Sequence, residues 1–257
     1  MKLHILTLTY DGADYIKSLA PSLFKSSLPK DVVWHIRDNG SKDNTEEVIK
    51  SLNGHFPIVY HKINHNKDNY AKCHNYLIEK ANADIENDWY LFLNNDIVIN
   101  NPKSIENMTK LIKENVGVIG AKLFYPNKKI QHGGVIFKKE FGGLPCHYKV
   151  GSKNSIQLSK NRQFQAVTFA FALVKASCIP NLKNGKLDEN YHFCFEDVSS
   201  CLDILYLQKK EIWYCGETNI THLESATLKK NGVNKIYQNY NFNRFRNEWK
   251  NIVKYDG

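Results

Sequence analysis

The chain alternates between short, almost continuously apolar runs and stretches in which apolar side chains recur every three or four positions. Residues 3–9 are β-rich and apolar throughout, as a strand covered on both faces must be. Tyr10-Asp11-Gly12 breaks this run, and Ile16, Leu19, Leu23 and Phe24 follow at helical spacing, with Pro21 expected to interrupt or kink the helix. Residues 31–36 read as a second strand that ends in Arg37-Asp38-Asn39-Gly40-Ser41. Asp43-Asn44-Thr45-Glu46 has the form of a capping box, and Val48, Ile49 and Leu52 give the next helix its buried face. Residues 57–63 read as a third strand, and Ala71, His74, Leu77, Ile78 and Ala81 mark a third helix. The run Asp88-Trp89-Tyr90-Leu91-Phe92-Leu93-Asn94-Asn95-Asp96 is too short for a surface helix and suits a central strand.

Strand–helix repeated three times and closed by a strand predicts an α/β fold, with a parallel sheet and right-handed crossovers. The polar strand ends 9–11, 38–41 and 94–96 then share one edge, where open α/β sheets bind ligands. Beyond Pro102 a helix is expected through Ile105, Met108, Leu111 and Ile112, followed by shorter strands at 116–124, 130–138 and 165–175 around a long loop at 139–163. A helix begins at Glu196-Asp197 with Val198, Cys201, Leu202 and Leu205 on one face, and residues 211–217 read as a last strand. From Lys229 the tail is rich in aromatics and cations. Tyr237, Tyr240, Phe242, Phe245 and Trp249 are spaced for a helix packed on the domain. The interleaved Lys235, Arg244, Arg246 and Lys250 leave open a contact with an anionic acceptor or a membrane surface.

A length of 257 residues allows one domain or two closely packed halves, and 42% hydrophobic with 12% aromatic content excludes a disordered chain. The six cysteines form no C-x-x-C pair and read as reduced, mostly buried thiols. The N-terminus enters a strand without a leader, and the longest apolar run falls far short of the ~18 residues of a spanning helix. A soluble, cytoplasmic protein is expected. The formal charge of +9 calls for anionic partners, without choosing between nucleotide phosphates, nucleic acid and a membrane surface. Asp96, a carboxylate on a rigid strand end, is a candidate ligand for a hard cation.

Six ordered motifs over roughly residues 3–225 resemble the inverting nucleotide-sugar enzymes of glycosyltransferase family 2, in particular their rhamnosyltransferase-like bacterial branch. They are Thr9-Tyr10-Asp11, Asp38-Asn39-Gly40-Ser41-Lys42-Asp43, Leu93-Asn94-Asn95-Asp96, the pair of stretches at 117–123 and 130–135, Glu196-Asp197-Val198, and His222-Leu223-Glu224-Ser225. The resemblance implies a GT-A (Rossmann-like) fold, with a nucleotide-sugar-binding half at 1–100, an acceptor and catalytic half at 101–228, and a tail at 229–257. It implies a donor of the UDP or dTDP type held by Thr9, Tyr10, Asp11, Asp38, Asn39, Asn75, Asn94 and Asn95, with Asp38 accepting from the base. Asp96 and His222 would hold Mn2+ or Mg2+ against the diphosphate. Asp197 would be the general base toward a glycan or lipid-linked acceptor hydroxyl, with Glu196 orienting the acceptor or modulating its neighbour.

The chain departs from the family pattern in three places, one of them at Phe169, Phe171 and Leu173, in a strand that often carries small residues near the acceptor. Asn94 stands where Asp-x-Asp has its first acid, and the stretch at 66–75 lacks the usual glycines while carrying Lys72 and His74. These departures motivate a non-catalytic nucleotide- or glycan-binding relative as an alternative. The net charge motivates another, a glycosyltransferase with a nucleic-acid acceptor.

Overall fold

In the computed structural model, which describes residues 1–192, 194–223 and 235–256, the opening repeat takes the expected form. β1 (Leu3–Thr9), α1 (Ala13–Phe24), β2 (Val32–Asp38), α2 (Thr45–Lys50), β3 (Ile58–Lys62), α3 (Tyr70–Ala81) and β4 (Trp89–Leu93) follow one another. The strands lie side by side in the order β3-β2-β1-β4, all parallel. Their carboxyl ends therefore face one edge.

The later part of the chain extends the same sheet. β5 (Ile97–Ile99), α4 (Ser104–Thr109), β6 (Val116–Phe124), β7 (Ile130–His132), β8 (Val135–Phe137), β9 (Pro145–His147), β10 (Arg162–Gln163) and β11 (Phe171–Lys175) lead to α5 (Glu196–Tyr206) and β12 (Glu211–His222). β11 runs antiparallel between β4 and β6, and β12 lies parallel to β6. The result is a mixed sheet of ten strands, mostly parallel, with β8 and β9 as a separate hairpin-like pair. A last helix, α6 (Lys235–Trp249), packs Phe245 and Trp249 into the core beneath α5.

The apolar runs are continuous because both faces of the sheet are covered. On β4, Tyr90 and Phe92 join the core under α3, α5 and α6, while Trp89, Leu91 and Leu93 join the core under α1, α2 and α4. This is the pattern expected when successive side chains of a strand point to opposite faces.

Several local expectations are corrected. Pro21 sits inside α1 without ending it: the helix continues to Phe24, although proline has no N–H to donate to the carbonyl one turn back. No capping box forms. Asp43 accepts from the Thr45 N–H and hydroxyl, while Glu46 turns outward to Lys50 and Lys62. The single strand expected at 130–138 is broken at Gly133-Gly134, where Gly134 takes a φ of 104° and sends β7 and β8 to different sheets. Only residues 171–175 of the strand expected at 165–175 are in the sheet, and β12 runs five residues further than expected, to His222. All six cysteines are free thiols. Among the described residues no helix is long and apolar enough to cross a membrane.

Candidate active site

The polar ends of β1, β2 and β4 meet, and side chains tie them together. The Asp11 N–H donates to Ser41 Oγ at 2.8 Å, and the Lys42 N–H donates to Asp11 Oδ1 at 2.7 Å. Asp11 adopts a φ of 45°, a left-handed conformation that a short carboxylate side chain tolerates better than most. Asn95 Nδ2 donates to Thr9 Oγ1 at 3.1 Å, joining the third turn to the first. Thr9, Tyr10, Asp11, Asn39, Asn94, Asn95 and Asp96 thus line one cleft of about 420 Å³, with Asp68 from the β3–α3 connection and Tyr70 from the start of α3.

Two expected donor-side residues lie elsewhere. Asp38 is buried behind this lining. Its Oδ1 accepts from the Ser41 N–H and hydroxyl, and its Oδ2 accepts from Tyr60 at 2.8 Å. It shapes the turn that presents Asn39. Asn75 faces away from the cleft, because α3 points it at residues 187–189. Its amide donates to the Leu187 carbonyl and Glu189 Oε1 and accepts from the Leu187 N–H. Beneath the cleft, the buried Arg37 guanidinium pairs with Asp68 at 2.6 Å, and Lys72 pairs with the same carboxylate at 2.7 Å. Lys72 therefore orders the β3–α3 connection.

A second cavity, of about 380 Å³, adjoins the first and shares Tyr70 and Asn94 with it. Glu196 and Asp197, in the first turn of α5, open into it together with Thr168, His147 and His222. The turn before them is strained. Phe195 has a φ of 79°, rare for a bulky residue, and its ring is held by Phe242 and Phe245 of α6 at centroid distances of 5.5 and 5.1 Å.

The two carboxyls differ in their partners. Asp197 accepts from the Phe169 N–H at 3.1 Å and the Val198 N–H at 2.7 Å, with a further donor in the Thr168 side chain. Glu196 Oε2 is buried without a hydrogen-bond partner among the described residues. Burial raises both pKa values. The donors around Asp197 oppose that shift, while the Asp197 charge adds to it at Glu196. The hydrogen bonds thus favour the negative charge on Asp197 over Glu196. Burial and these carboxylates also push the Tyr70 phenol far up, so its hydroxyl stays protonated and donates to the Phe169 carbonyl at 3.2 Å.

Where the two cavities meet, His222 Nε2 lies 3.0 Å from Asp96 Oδ1. His222 Nδ1 is 2.7 Å from Gln131 Oε1. A carboxamide oxygen only accepts, so Nδ1 donates to it, and Nε2 faces the carboxylate. Asn94 Nδ2, at 3.4 Å, approaches Nε2 as a donor. A ring nitrogen and a carboxylate oxygen about 3 Å apart can share a proton, and the same distance is the spacing of neighbouring ligands in an octahedral site with bonds of ~2.1 Å. Asp96 and His222 thus fit a divalent metal, with Gln131 fixing the imidazole tautomer from behind. Among the described residues no cluster of three or more His, Cys, Asp or Glu side chains surrounds such a point, so water and ligand oxygens would complete the shell.

His132 turns the other way, buried against His147 with their Nδ1 atoms 2.6 Å apart. Burial keeps its pKa far below the usual value, and it lines neither cavity. Glu224 and Ser225 lie outside the described residues. Tyr70, Thr168 and Gln131 were not anticipated as site residues. Only Gln131 left a trace in the sequence, in the Gln-His-Gly-Gly string.

The family model described as glycosyl transferase family 2 matches residues 5–176, and the chain belongs to that family. It is 24% identical over 238 residues to the O-antigen biosynthesis protein RfbC of Myxococcus xanthus, covering 90% of this chain and 18% of that one. It is also 24% identical over 230 residues to the uncharacterized protein y4gI of Sinorhizobium fredii, covering 87% of this chain and 24% of that one. The chain therefore spans less than a quarter of either relative.

Among solved structures it is similar to S. aureus TarS 1-349 in complex with UDP-GlcNAc, with a TM-score of 0.60, 17% identity, and coverage of 91% of this chain and 62% of that one. It is also similar to GalNAc-T7 with UDP, GalNAc and Mn2+, with a TM-score of 0.66, 14% identity, and coverage of 100% and 52%. The fold is the GT-A fold of these glycosyltransferases.

Proposed function

We propose that the protein is a metal-dependent inverting glycosyltransferase that moves a hexose-type sugar from a nucleoside diphosphate of the UDP or dTDP type to a hydroxyl of a glycan or lipid-linked acceptor. The observation that carries this reading is the meeting of two cavities at Tyr70 and Asn94. The strand-end turns and Asp96 lie in one, and a buried aspartate held by three donors lies in the other.

The nucleotide lies in the strand-end cleft of the 1–100 half. Thr9, Tyr10 and Asp11 line base and ribose, Asn39 is presented by the turn that Asp38 braces, and Asn94 and Asn95 face the diphosphate. Asp96 and His222 hold Mn2+ or Mg2+, which when bound offsets charge on the departing nucleoside diphosphate. The imidazole ligand favours Mn2+.

The acceptor enters the second cavity, in the 101–228 half. Asp197 takes the proton of its hydroxyl as that oxygen attacks the anomeric carbon from the face opposite the leaving group, so the product has inverted configuration. Burial makes Asp197 a stronger base than a solvated aspartate, and its bonds to Phe169 and Val198 fix its direction. Glu196, holding its proton, adds no second negative charge and is placed to donate to the acceptor. Similarity to an O-antigen biosynthesis protein supports a saccharide acceptor.

A thermal-shift screen of nucleoside diphosphates with and without Mn2+ tests the donor half of this reading. UDP or dTDP should raise the unfolding temperature only with the metal, and Asp96→Ala should remove that rise. Equal shifts with and without Mn2+, in wild type and variant alike, would count against it.

A further inference from the structure

Arg162 lies on the two-residue edge strand β10. Its guanidinium carbon sits 4.5 Å from the Tyr148 ring centroid and 4.4 Å from that of Phe164, so two rings hold the group in place. No carboxylate among the described residues pairs with it. A planar, permanently charged fork with unspent N–H groups is suited to phosphate or carboxylate oxygens.

Arg162 lines a cleft of about 780 Å³ together with Phe164, Gln165, Lys209 and Lys254. Neither lysine has an ion-pair partner among the described residues. The floor is fixed, because Gln165 accepts from the Tyr206 hydroxyl at 2.7 Å and the Lys254 N–H at 2.8 Å and donates to the Lys254 carbonyl. One carboxylate, Asp256, also lines the cleft and accepts from the Phe137 N–H at 2.9 Å. Three cations against this one acid leave the cleft positive.

The cleft is tied to the site already described. Val135 stands in the wall of both this cleft and the cavity of the acid pair. Tyr148, which holds Arg162, directly follows His147 in that cavity's lining. α5 carries Asp197 in its first turn and Tyr206 at its end, roughly 13 Å apart along the axis at 1.5 Å per residue.

We infer that this cleft binds an anionic group of the acceptor, a saccharide bearing phosphate or carboxylate roughly 13 Å from the hydroxyl that faces Asp197. The inference rests on the acceptor role of the acid-pair cavity. A nucleic acid fits less well, because bases bind by stacking on open aromatic faces, and the Tyr148 and Phe164 faces are already occupied by Arg162.

The test uses three labelled oligosaccharides of equal length: one with phosphodiester links, one with uronate carboxylates and one neutral. Each is titrated into the full chain at low and high salt. One anionic probe should bind at least about tenfold more tightly than the neutral one, with the advantage fading at high salt. Arg162→Gln should abolish that preference, and Arg162→Lys should restore only part of it. The double variant Lys209→Gln/Lys254→Gln, at two exposed positions, should weaken the preference even if Arg162→Gln unfolds. The UDP–Mn2+ thermal shift should stay unchanged in all soluble variants.

Equal binding of anionic and neutral probes overturns the inference. So does a preference that survives both the Arg162 and the lysine variants, or tighter binding by a single-stranded oligonucleotide. A wild-type protein that shows the preference but no UDP shift retains the anion cleft and sinks the donor reading instead.

Discussion

Gln131 sets what His222 can do. Its amide oxygen, 2.7 Å from Nδ1, fixes the ring so that Nε2 is the nitrogen that faces Asp96. Replacing it with leucine frees the ring to take the other tautomer and leaves Nδ1 without a partner. Gln131→Leu should therefore weaken Mn2+ binding by about tenfold or more, read as the Mn2+ concentration that gives half of the UDP-dependent thermal shift. An unchanged half-point would show that the contact is incidental. Asp96, Glu196 and Asp197 were legible in the sequence because each sits where a strand ends or a helix starts, and local pattern fixes those points. Tyr70 and Gln131 were not, because their partners Phe169 and His222 lie 99 and 91 residues away. Asn75 was misplaced for the converse reason: helical spacing gives its position on α3 but not that residues 187–189 consume its amide.

At the level of elements, the N-terminal strands and helices could be read because each carries a complete apolar signature. Of the later ones, β6 and the start of α5 fell where expected, but the strands around them did not, because glycines and edge pairing set their limits. Gly134 breaks the 130–138 run, and β12 is carried to His222 by pairing with β5, a strand too short to leave a periodic signal. α6 shows how one element disciplines another. Trp249 Nε1 donates to Ser199 Oγ at 3.1 Å, Arg244 pairs with Asp188 at 2.6 Å, and Phe245 packs between Phe195 and Phe137. These contacts hold Phe195 in its strained conformation directly before the acid pair. Phe245→Ala removes a fully buried ring and should cost about 3–5 kcal/mol in denaturant unfolding. It should also lower turnover under conditions where the variant remains folded, because Phe195 loses one of its two α6 ring contacts. Full turnover in the folded variant would show that α6 is only packing.

Across the whole molecule, a row of buried and half-buried imidazoles ties stability to pH. His4, His35 and His61 stack across β1, β2 and β3 with 5.7 Å between successive rings. They are faced by Lys2, Asp88 and Tyr90 on one side and by Arg37, Tyr76 and Lys80 on the other. Burial lowers all three pKa values, His35 to about 4. An unfolded histidine titrates near 6.5, so between those values the unfolded chain binds the proton that the folded one refuses. The contribution of His35, on the order of 3 kcal/mol, is complete above about pH 6.5 and is lost as pH falls toward 4. Urea midpoints measured across this range should drop on acidification, and His35→Gln should flatten the drop. At this scale the parallel direction of the first four strands was readable from alternation alone, whereas their order in the sheet and the return of β11 between β4 and β6 were not, because an antiparallel insertion leaves no mark on an apolar run. The central claim is chemical, and the most direct test is the release of nucleoside diphosphate from a panel of nucleotide sugars with a saccharide acceptor, with and without Mn2+. Wild type should release UDP or dTDP in a Mn2+-stimulated reaction, and Asp197→Asn should be at least about a hundredfold slower while keeping its UDP-induced thermal shift. No stimulated release from any donor, or full activity in Asp197→Asn, would contradict it.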